Sequence, residues 1–288
     1  MKIAVVGSTG QLGSDAVQVL SSRGNEVVPR SHEAVEVADL EAVRAALQPI
    51  HPDVVLNCAA FVRVDDAEER VTEAFRTNAV GAFNVAKVCS EQGAACVYVS
   101  TDFVFDGEKD GAYTEADVPR PINVYGASKL AGEYLVRQAC KDWMIVRVAS
   151  LFGKSGARGK GGNFVETVLR KARAGETLRV VSDTRMSPTY TMDAAQALEG
   201  LIASEARGVF HAANGGSCTW YELACRAIAL AGIEARVEPI SASEYPTKAR
   251  RPVNSALRSA RLERVTTAAP RPWEMALKAY LKERGHTL

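Results

Sequence analysis

The chain has 288 residues, 47% of them hydrophobic, and a formal net charge of +1. That length supports one large or two fused domains with a sizeable core. The near-neutral charge argues against bulk binding to a nucleic-acid polymer or a membrane surface, and no apolar run approaches the ~18 residues that a spanning helix needs.

The first residues, Met1-Lys2-Ile3-Ala4-Val5-Val6-Gly7, enter a strand directly. No signal peptide precedes them, so a cytoplasmic location is expected. Lys2–Val6 is a continuous apolar run ending in glycine, and Gln11–Arg23 carries Leu12, Ala16, Val19 and Leu20 on one helical face. Between them Gly7, Gly10 and Gly13 form a Gly-x-x-Gly-x-x-Gly loop with a strand before it and a helix after it. The first glycine permits a tight turn, the second a close approach to a pyrophosphate, and the third close helix–sheet packing. The helix N-terminus offers free N–H groups and the positive end of its dipole. Gly7, Thr9, Gly10, Gln11, Leu12 and Gly13 are therefore expected to bind a dinucleotide.

Glu26–Pro29 is the second strand, followed by Arg30 and Ser31. A basic residue here pairs with a 2′-phosphate where an acidic one would accept from ribose hydroxyls, so Arg30 favours NADP(H). Asp39 and Leu40 are placed to meet the adenine; Asp39 can equally cap the helix expected over Leu40–Gln48. Val54–Asn57 is the third strand, and the small residues Cys58, Ala59 and Ala60 after it let a cofactor lie close over the sheet edge. Glu73–Glu91 reads as one long helix, with Phe75, Ala79, Ala82, Phe83 and Ala86 on its apolar side.

Ala95–Ser100 is the fourth strand, and Thr101 and Asp102 follow at its carboxyl end, where ligands lie in such sheets. The pair could also simply stabilise a turn. Tyr125–Cys140 is helical, which puts Tyr125 and Lys129 on one face. A tyrosine, with its pKa near ~10, needs a nearby cation to work as an acid–base at neutral pH. Lys129 can supply that cation and hold a ribose hydroxyl, and Thr101 can orient a substrate carbonyl.

Met144–Val148 is the fifth strand. Lys154–Gly162 then reads as a mobile loop, and the rhythm changes: helix Asn163–Ala174, strand Leu178–Val181, helix Met192–Ala203, strand Val209–Ala212, helix Thr219–Ala231 and a final amphipathic helix Trp273–Arg284. Unbroken apolar strands alternating with helices predict an α/β fold, a doubly wound parallel sheet of Rossmann type. Residues 1–150 would form it, with elements around 180–215 returning, and a smaller α/β C-terminal substrate lobe would occupy 151–288. The six cysteines are scattered without a Cys-x-x-Cys pair, and the four histidines do not pair at ligand spacing. Reduced, packed thiols and no metal are expected.

The glycine loop, Ser100-Thr101-Asp102-Phe103-Val104-Phe105 and Tyr125-Gly126-Ala127-Ser128-Lys129 together resemble the extended short-chain dehydrogenase/reductases. Within them the chain is most similar to the dTDP-4-dehydrorhamnose reductases. Val64-Asp65-Asp66-Ala67-Glu68, Pro121–Gly126, Ser128–Glu133, Asn163-Phe164, Ser187–Tyr190 and Arg250–Ser255 match in family order. The resemblance implies NADPH-dependent reduction of the 4-keto group of a dTDP-linked 6-deoxy-hexulose to dTDP-L-rhamnose, with Thr101, Tyr125 and Lys129 catalytic. It also implies Asp102 and Val104 lining the sugar site, Asn163, Arg250 and Arg251 towards the substrate, and room for a homodimer. The arginines suit a diphosphate by bidentate pairing.

One departure bears on the sugar. The family carries Arg-Thr-Ser-Trp-Val-Tyr where this chain has Arg147-Val148-Ala149-Ser150-Leu151-Phe152, so a serine stands where the tryptophan packs on the sugar. Two rival readings share the residues above. One is a reductase or epimerase of another nucleotide sugar; the other is a non-catalytic NADP-binding partner protein like the regulatory subunit of methionine adenosyltransferase.

Overall fold

The computed structural model describes residues 1–155, 162–266 and 269–286. Residues 156–161, most of the loop expected over Lys154–Gly162, lie outside them. The first half runs β1 (Lys2–Val6), α1 (Gln11–Ser22), β2 (Glu26–Arg30), α2 (Leu40–Leu47), β3 (Val54–Asn57), α3 (Val64–Glu69), α4 (Val71–Phe75), α5 (Gly81–Gln92), β4 (Ala95–Thr101), α6 (Val124–Ala139) and β5 (Trp143–Val148). The second half runs β6 (Leu151–Phe152), α7 (Phe164–Arg173), β7 (Leu178–Val181), β8 (Arg185–Met186), β9 (Thr189–Tyr190), α8 (Thr191–Ala203), β10 (Gly208–His211), β11 (Cys218–Thr219), α9 (Trp220–Leu230), β12 (Val237–Ile240), α10 (Ala260–Thr266) and α11 (Trp273–Glu283).

Six strands form the main sheet in the order β10-β5-β4-β3-β1-β2. Every pairing in it is parallel. Side chains alternate between its faces, so one strand feeds two cores. Ile3 and Val5 of β1, Val97 of β4 and Val146 of β5 meet Leu12, Ala16 and Leu20 of α1 and Leu198 of α8. Ala4, Val6, Cys96, Tyr98 and Ile145 point the other way, onto Val43 and Leu47 of α2, Val85 and Val88 of α5 and Val136 of α6. Burying each large aliphatic chain contributes ~1.5–3 kcal/mol.

The chain leaves β1 for β2 on one side and comes back for β3 on the other. A crevice therefore opens at the carboxyl ends of β1, β3 and β4, where ligands lie in open parallel sheets. A third core, with Leu169 of α7, Leu223 of α9 and Leu277 of α11, is built from the second half of the chain. Its β7 pairs in parallel with β12.

The stretch expected as one helix over Glu73–Glu91 is interrupted. A π turn at Arg76–Val80 joins α4 to α5. All six cysteines are free thiols, four of them buried. Among the described residues no helix is long and apolar enough to cross a membrane, and no group of three His, Cys, Asp or Glu side chains could hold a metal ion.

Candidate active site

The glycine loop begins at Gly7, whose φ of 78° lies in the left-handed region. The N–H groups of Gly7 and Ser8 donate to the Arg30 carbonyl at 2.9 and 3.1 Å, which ties the loop to the end of β2. A Cβ on Gly7 would stand 2.8 Å from the Ala59 nitrogen, and one on Gly13 would stand 2.2 Å from the Gly7 carbonyl oxygen. Loop, helix and the Cys58–Ala60 segment thus meet at distances that exclude side chains. Gly10 occupies the N-cap of α1 with no side-chain cap, so the first-turn N–H groups of Gln11, Leu12 and Gly13 face outward without one. The Gln11 amide nitrogen Nε2 is buried and has no partner among the described residues. Thr9 is exposed, and the Leu12 side chain joins the core. A backbone cradle of this shape with a free amide donor beside it fits a dinucleotide phosphate.

Arg30 ends β2 with its guanidinium resting on carbonyl oxygens: Nε on Ala46 and a terminal nitrogen on Pro29, both at 3.2 Å. No carboxylate pairs with it among the described residues. Asp39 caps α2, accepting from Glu41 N at 2.9 Å and Ala42 N at 3.3 Å, and Leu40 is half-buried beside it. Cys58 continues from β3 with its N–H on the Val6 carbonyl at 2.9 Å, and burial pushes its thiol up to about 12. Ala59 N donates to the Asn57 side chain at 3.0 Å, and Ala60 is half-buried beyond it.

Helix α6 brings the reactive side chains in. Asn123 caps it by accepting from Gly126 N at 2.8 Å. Gly126 is needed there because a Cβ would stand 2.0 Å from the Phe103 carbonyl oxygen. Tyr125 sits in the first turn with its ring edge-on to Phe103, centroids 6.0 Å apart. Burial pushes its phenol up to about 12, partly offset by the Thr101 hydroxyl, while Asp102 acts in the same direction as burial, so the lowering expected from Lys129 is overturned. One turn on, Lys129 is 1% exposed. Its Nζ donates to the Val99 carbonyl at 2.7 Å and lies 4.0 Å from the centre of the Tyr98 ring. Burial pulls the Lys129 ammonium down to about 7.

Thr101 and Asp102 leave β4 at 4% and 3% exposure. The Thr101 hydroxyl accepts from Phe103 N at 3.2 Å and donates to Asp102 Oδ1 at 2.9 Å. These two bonds are those of the turn-stabilising reading of the pair. Val104 is fully buried with Phe105, Tyr113, Ala149 and Leu257 behind the site.

The residues expected towards the substrate fare differently. Asn163 is 6% exposed and fully engaged: it caps α7 by accepting from Glu166 N at 3.0 Å, and its amide donates to the Gly153 carbonyl at 2.9 Å and the Tyr280 hydroxyl at 2.8 Å. Its donors and acceptor are spent on joining α7, the residue after β6 and α11. Arg251 pairs with Asp65 of α3 at 2.8 Å, and the same carboxylate accepts from Ala249 N at 3.0 Å. Arg250 has an exposed side chain, and its carbonyl accepts from Asn123 Nδ2 at 2.9 Å, next to the start of α6. Ser150, at the position where the resemblance implies a tryptophan, has a φ of 42°.

Asn78 is a polar organiser that the sequence pattern hides. It sits in the π turn at 0% exposure. Its side chain accepts from Phe61 N at 2.8 Å and donates to the Phe61 carbonyl at 3.1 Å and to Ser128 Oγ at 2.9 Å. Its carbonyl accepts from Tyr98 OH at 2.7 Å. One residue thereby fixes the loop after β3, the middle of α6 and the ring under Lys129. The only signal was an asparagine within a long helical pattern, where asparagine is a poor helix former.

A family model described as RmlD substrate binding domain matches residues 1–285. The chain is 38% identical to the spore coat polysaccharide biosynthesis protein SpsK of Bacillus subtilis, over 99% of this chain and 98% of that protein. It is 33% identical to the dTDP-4-dehydrorhamnose reductase of Aggregatibacter actinomycetemcomitans, over 96% and 97%. Among solved structures, the dTDP-4-dehydrorhamnose reductase of Bacillus anthracis in complex with NADP superposes with a TM-score of 0.93 at 34% identity, covering 98% of this chain and 99% of that one.

Proposed function

The chain belongs to the family of the RmlD substrate binding domain, the dTDP-4-dehydrorhamnose reductases among the extended short-chain dehydrogenase/reductases, and from that premise we propose how its own residues perform the reduction. It is an NADPH-dependent oxidoreductase that reduces the 4-keto group of a dTDP-linked 6-deoxy-hexulose to give dTDP-L-rhamnose. What supports the assignment of roles is that Tyr125 meets the Thr101 hydroxyl at the carboxyl end of β4, with Lys129 one turn further along α6 and its Nζ on the Val99 carbonyl of the same strand.

NADPH, when bound, supplies the hydride that goes to the ketone carbon. The cradle of Gly7, Gly10 and Gly13, with Gln11 Nε2 and the first N–H groups of α1, holds the pyrophosphate. Arg30, which rests on two carbonyl oxygens, would hold the 2′-phosphate through a charge-assisted interaction. Asp39 and Leu40 flank the adenine, and Cys58, Ala59 and Ala60 let the nicotinamide half lie close over β3.

Tyr125 gives its phenolic proton to the ketone oxygen as that oxygen gains charge. A phenol pushed up to about 12 carries its proton at neutral pH and is a weak acid, so it gives that proton only as the ketone oxygen becomes strongly basic. The Thr101 hydroxyl orients the same oxygen, and Lys129 steadies the tyrosinate left behind and takes a ribose hydroxyl. Asp102 holds a sugar hydroxyl, with Val104 stiffening the wall behind it. Arg250 is the arginine whose exposed side chain has no partner among the described residues and can meet the diphosphate; Arg251 reaches it by leaving Asp65. Asn163 supports the lobe from behind.

Residues 1–150 form the cofactor unit, completed by α8 and β10, and residues 151–288 supply the substrate lobe. The separate core of α7, α9 and α11 supports that division. A cytoplasmic location is supported by six free thiols.

Purified protein given NADPH and the dTDP-4-keto-6-deoxy sugar should consume NADPH, followed by its absorbance, and accumulate dTDP-L-rhamnose. Protein that binds NADPH but consumes none across a panel of nucleotide-linked keto-sugars would be a cofactor-binding partner protein instead.

A further inference from the structure

We propose that Glu133, clamped by Arg147 and Ser100, is a positioning residue that keeps the neighbouring Lys129 side chain an ammonium during the reaction. The inference rests on the role given above to Lys129.

Glu133 lies one turn after Lys129 on α6 and is 3% exposed. Its Oε1 accepts from Ser100 Oγ at 2.6 Å and from Arg147 Nε at 2.8 Å, and its Oε2 accepts from an Arg147 terminal nitrogen at 2.7 Å. Both side chains of this ion pair are 4% exposed. Arg147 comes from β5 and lies 5.2 Å from the centre of the Phe105 ring. One of its terminal nitrogens, Nη1, has no partner among the described residues. A buried pair of this kind gains little stability over a well-packed apolar pair, because both charges lose their hydration. Stability alone therefore gives no reason for it.

What lies beside it is Lys129. The two direct contacts of that ammonium, the Val99 carbonyl and the Tyr98 ring, carry no net charge. Val99 adjoins Ser100 on β4, so adjacent backbone positions hold the lysine and the glutamate. Burial pulls the lysine towards its neutral form, and Glu133 is the largest opposing influence, followed by Cys58.

Of the other titratable groups around Lys129, the phenols and the thiol stay neutral near pH 7, and Asp102 is mostly ionised there. Tyr125 on α6 and Cys58 after β3 are each pushed up to about 12, and Tyr98 on β4 is raised well above the usual tyrosine range. Asp102 faces Tyr125, with its carboxyl pushed up to about 6. Arg147 faces Glu133 and spends part of its charge. The neighbours from the π turn and α6, Asn78 and Ser128, are uncharged.

The signs follow from this arrangement. Turnover needs the ammonium, so kcat/KM falls as pH rises through the Lys129 pKa. Glu133→Gln removes the anion and leaves the Arg147 cation, which moves that fall to lower pH. Arg147→Met frees the whole charge of Glu133 for Lys129 and moves it to higher pH. A merely structural role would destabilise both variants and shift neither limb.

The test is the pH profile of kcat/KM for NADPH-dependent reduction in wild type, Glu133→Gln, Arg147→Met and the double variant, with folding followed by thermal melts and NADPH binding by fluorescence. Glu133→Gln should shift the alkaline limb down by about one pH unit, a roughly tenfold loss on its steep part, and Arg147→Met should shift it up. The double variant strands no buried charge, so it decides the matter if a single variant does not fold; its limb should also lie below that of wild type. Folded, NADPH-binding variants whose limbs coincide with wild type would overturn the proposal. If Lys129→Met turns over like wild type, the reading of Lys129 has failed, and this inference goes with it.

Discussion

Thr101 Oγ1 donates a hydrogen bond to Asp102 Oδ1 at 2.9 Å, and the other oxygen of that carboxylate has no partner among the described residues. Burial pushes the Asp102 carboxyl up to about 6, against the stabilising hydroxyls of Ser255 and Thr101. The native state therefore binds a proton that the unfolded chain has released between the ordinary aspartate pKa and about 6. Above that window the buried charge costs stability. Asp102→Asn should raise thermal stability at pH 8, by up to about 3 kcal/mol, and the gain should vanish at pH 3. Turnover should fall about tenfold or more as Thr101 loses its charged acceptor. Paired melts at the two pH values check the first part, and steady-state rates the second.

His211 is fully buried against Phe105, and neither ring nitrogen has a hydrogen-bond partner among the described residues. Burial and the Arg147 guanidinium push its pKa down to about 3. Its folded pKa is depressed, so the unfolded chain takes up a proton first as pH drops below the ordinary histidine value. Stability should be lost from about pH 6.5 downwards. His211→Phe keeps the ring and removes the titration. Relative to wild type it should gain about 2 kcal/mol on going from pH 8 to pH 5, measured by denaturant unfolding at each pH.

The Arg30 guanidinium touches two carbonyl oxygens and no carboxylate among the described residues, so its charge is available at the end of β2. Arg30→Ala should weaken NADPH binding by about ten- to a hundredfold while leaving NADH binding nearly unchanged. Fluorescence titration with both cofactors gives the ratio. An unchanged ratio would remove Arg30 from the 2′-phosphate site.

The parallel sheet and its crevice were legible because their signals are local. Lys2–Val6 is apolar on both faces, and the glycines at 7, 10 and 13 need only a strand before them and a helix after them. Tyr125 and Lys129 were legible through one turn of helix. What escaped depends on partners distant in sequence. Asp65 holds Arg251 at a separation of 186 positions, and Asn163 reaches Tyr280 at one of 117. Nothing near either residue announces this. The π turn at Arg76–Val80 has an ordinary helical composition, and its reason is the set of contacts that Asn78 makes with Phe61, Ser128 and Tyr98. Glu133 looked like one more residue of a family motif until Arg147 and Ser100 were placed around it.

The central claim is that the Tyr125 phenol, beside Thr101 and one turn before Lys129, delivers the proton. Tyr125→Phe removes one oxygen from a half-buried ring and leaves the cradle at Gly7–Gly13 untouched. Steady-state reduction of the dTDP-4-keto-6-deoxy sugar by this variant, with NADPH affinity measured on the same preparation, tests the claim most directly. The account predicts a loss of about a hundred- to ten-thousandfold in kcat with unchanged NADPH affinity. A variant that binds NADPH and turns over at the wild-type rate would contradict it.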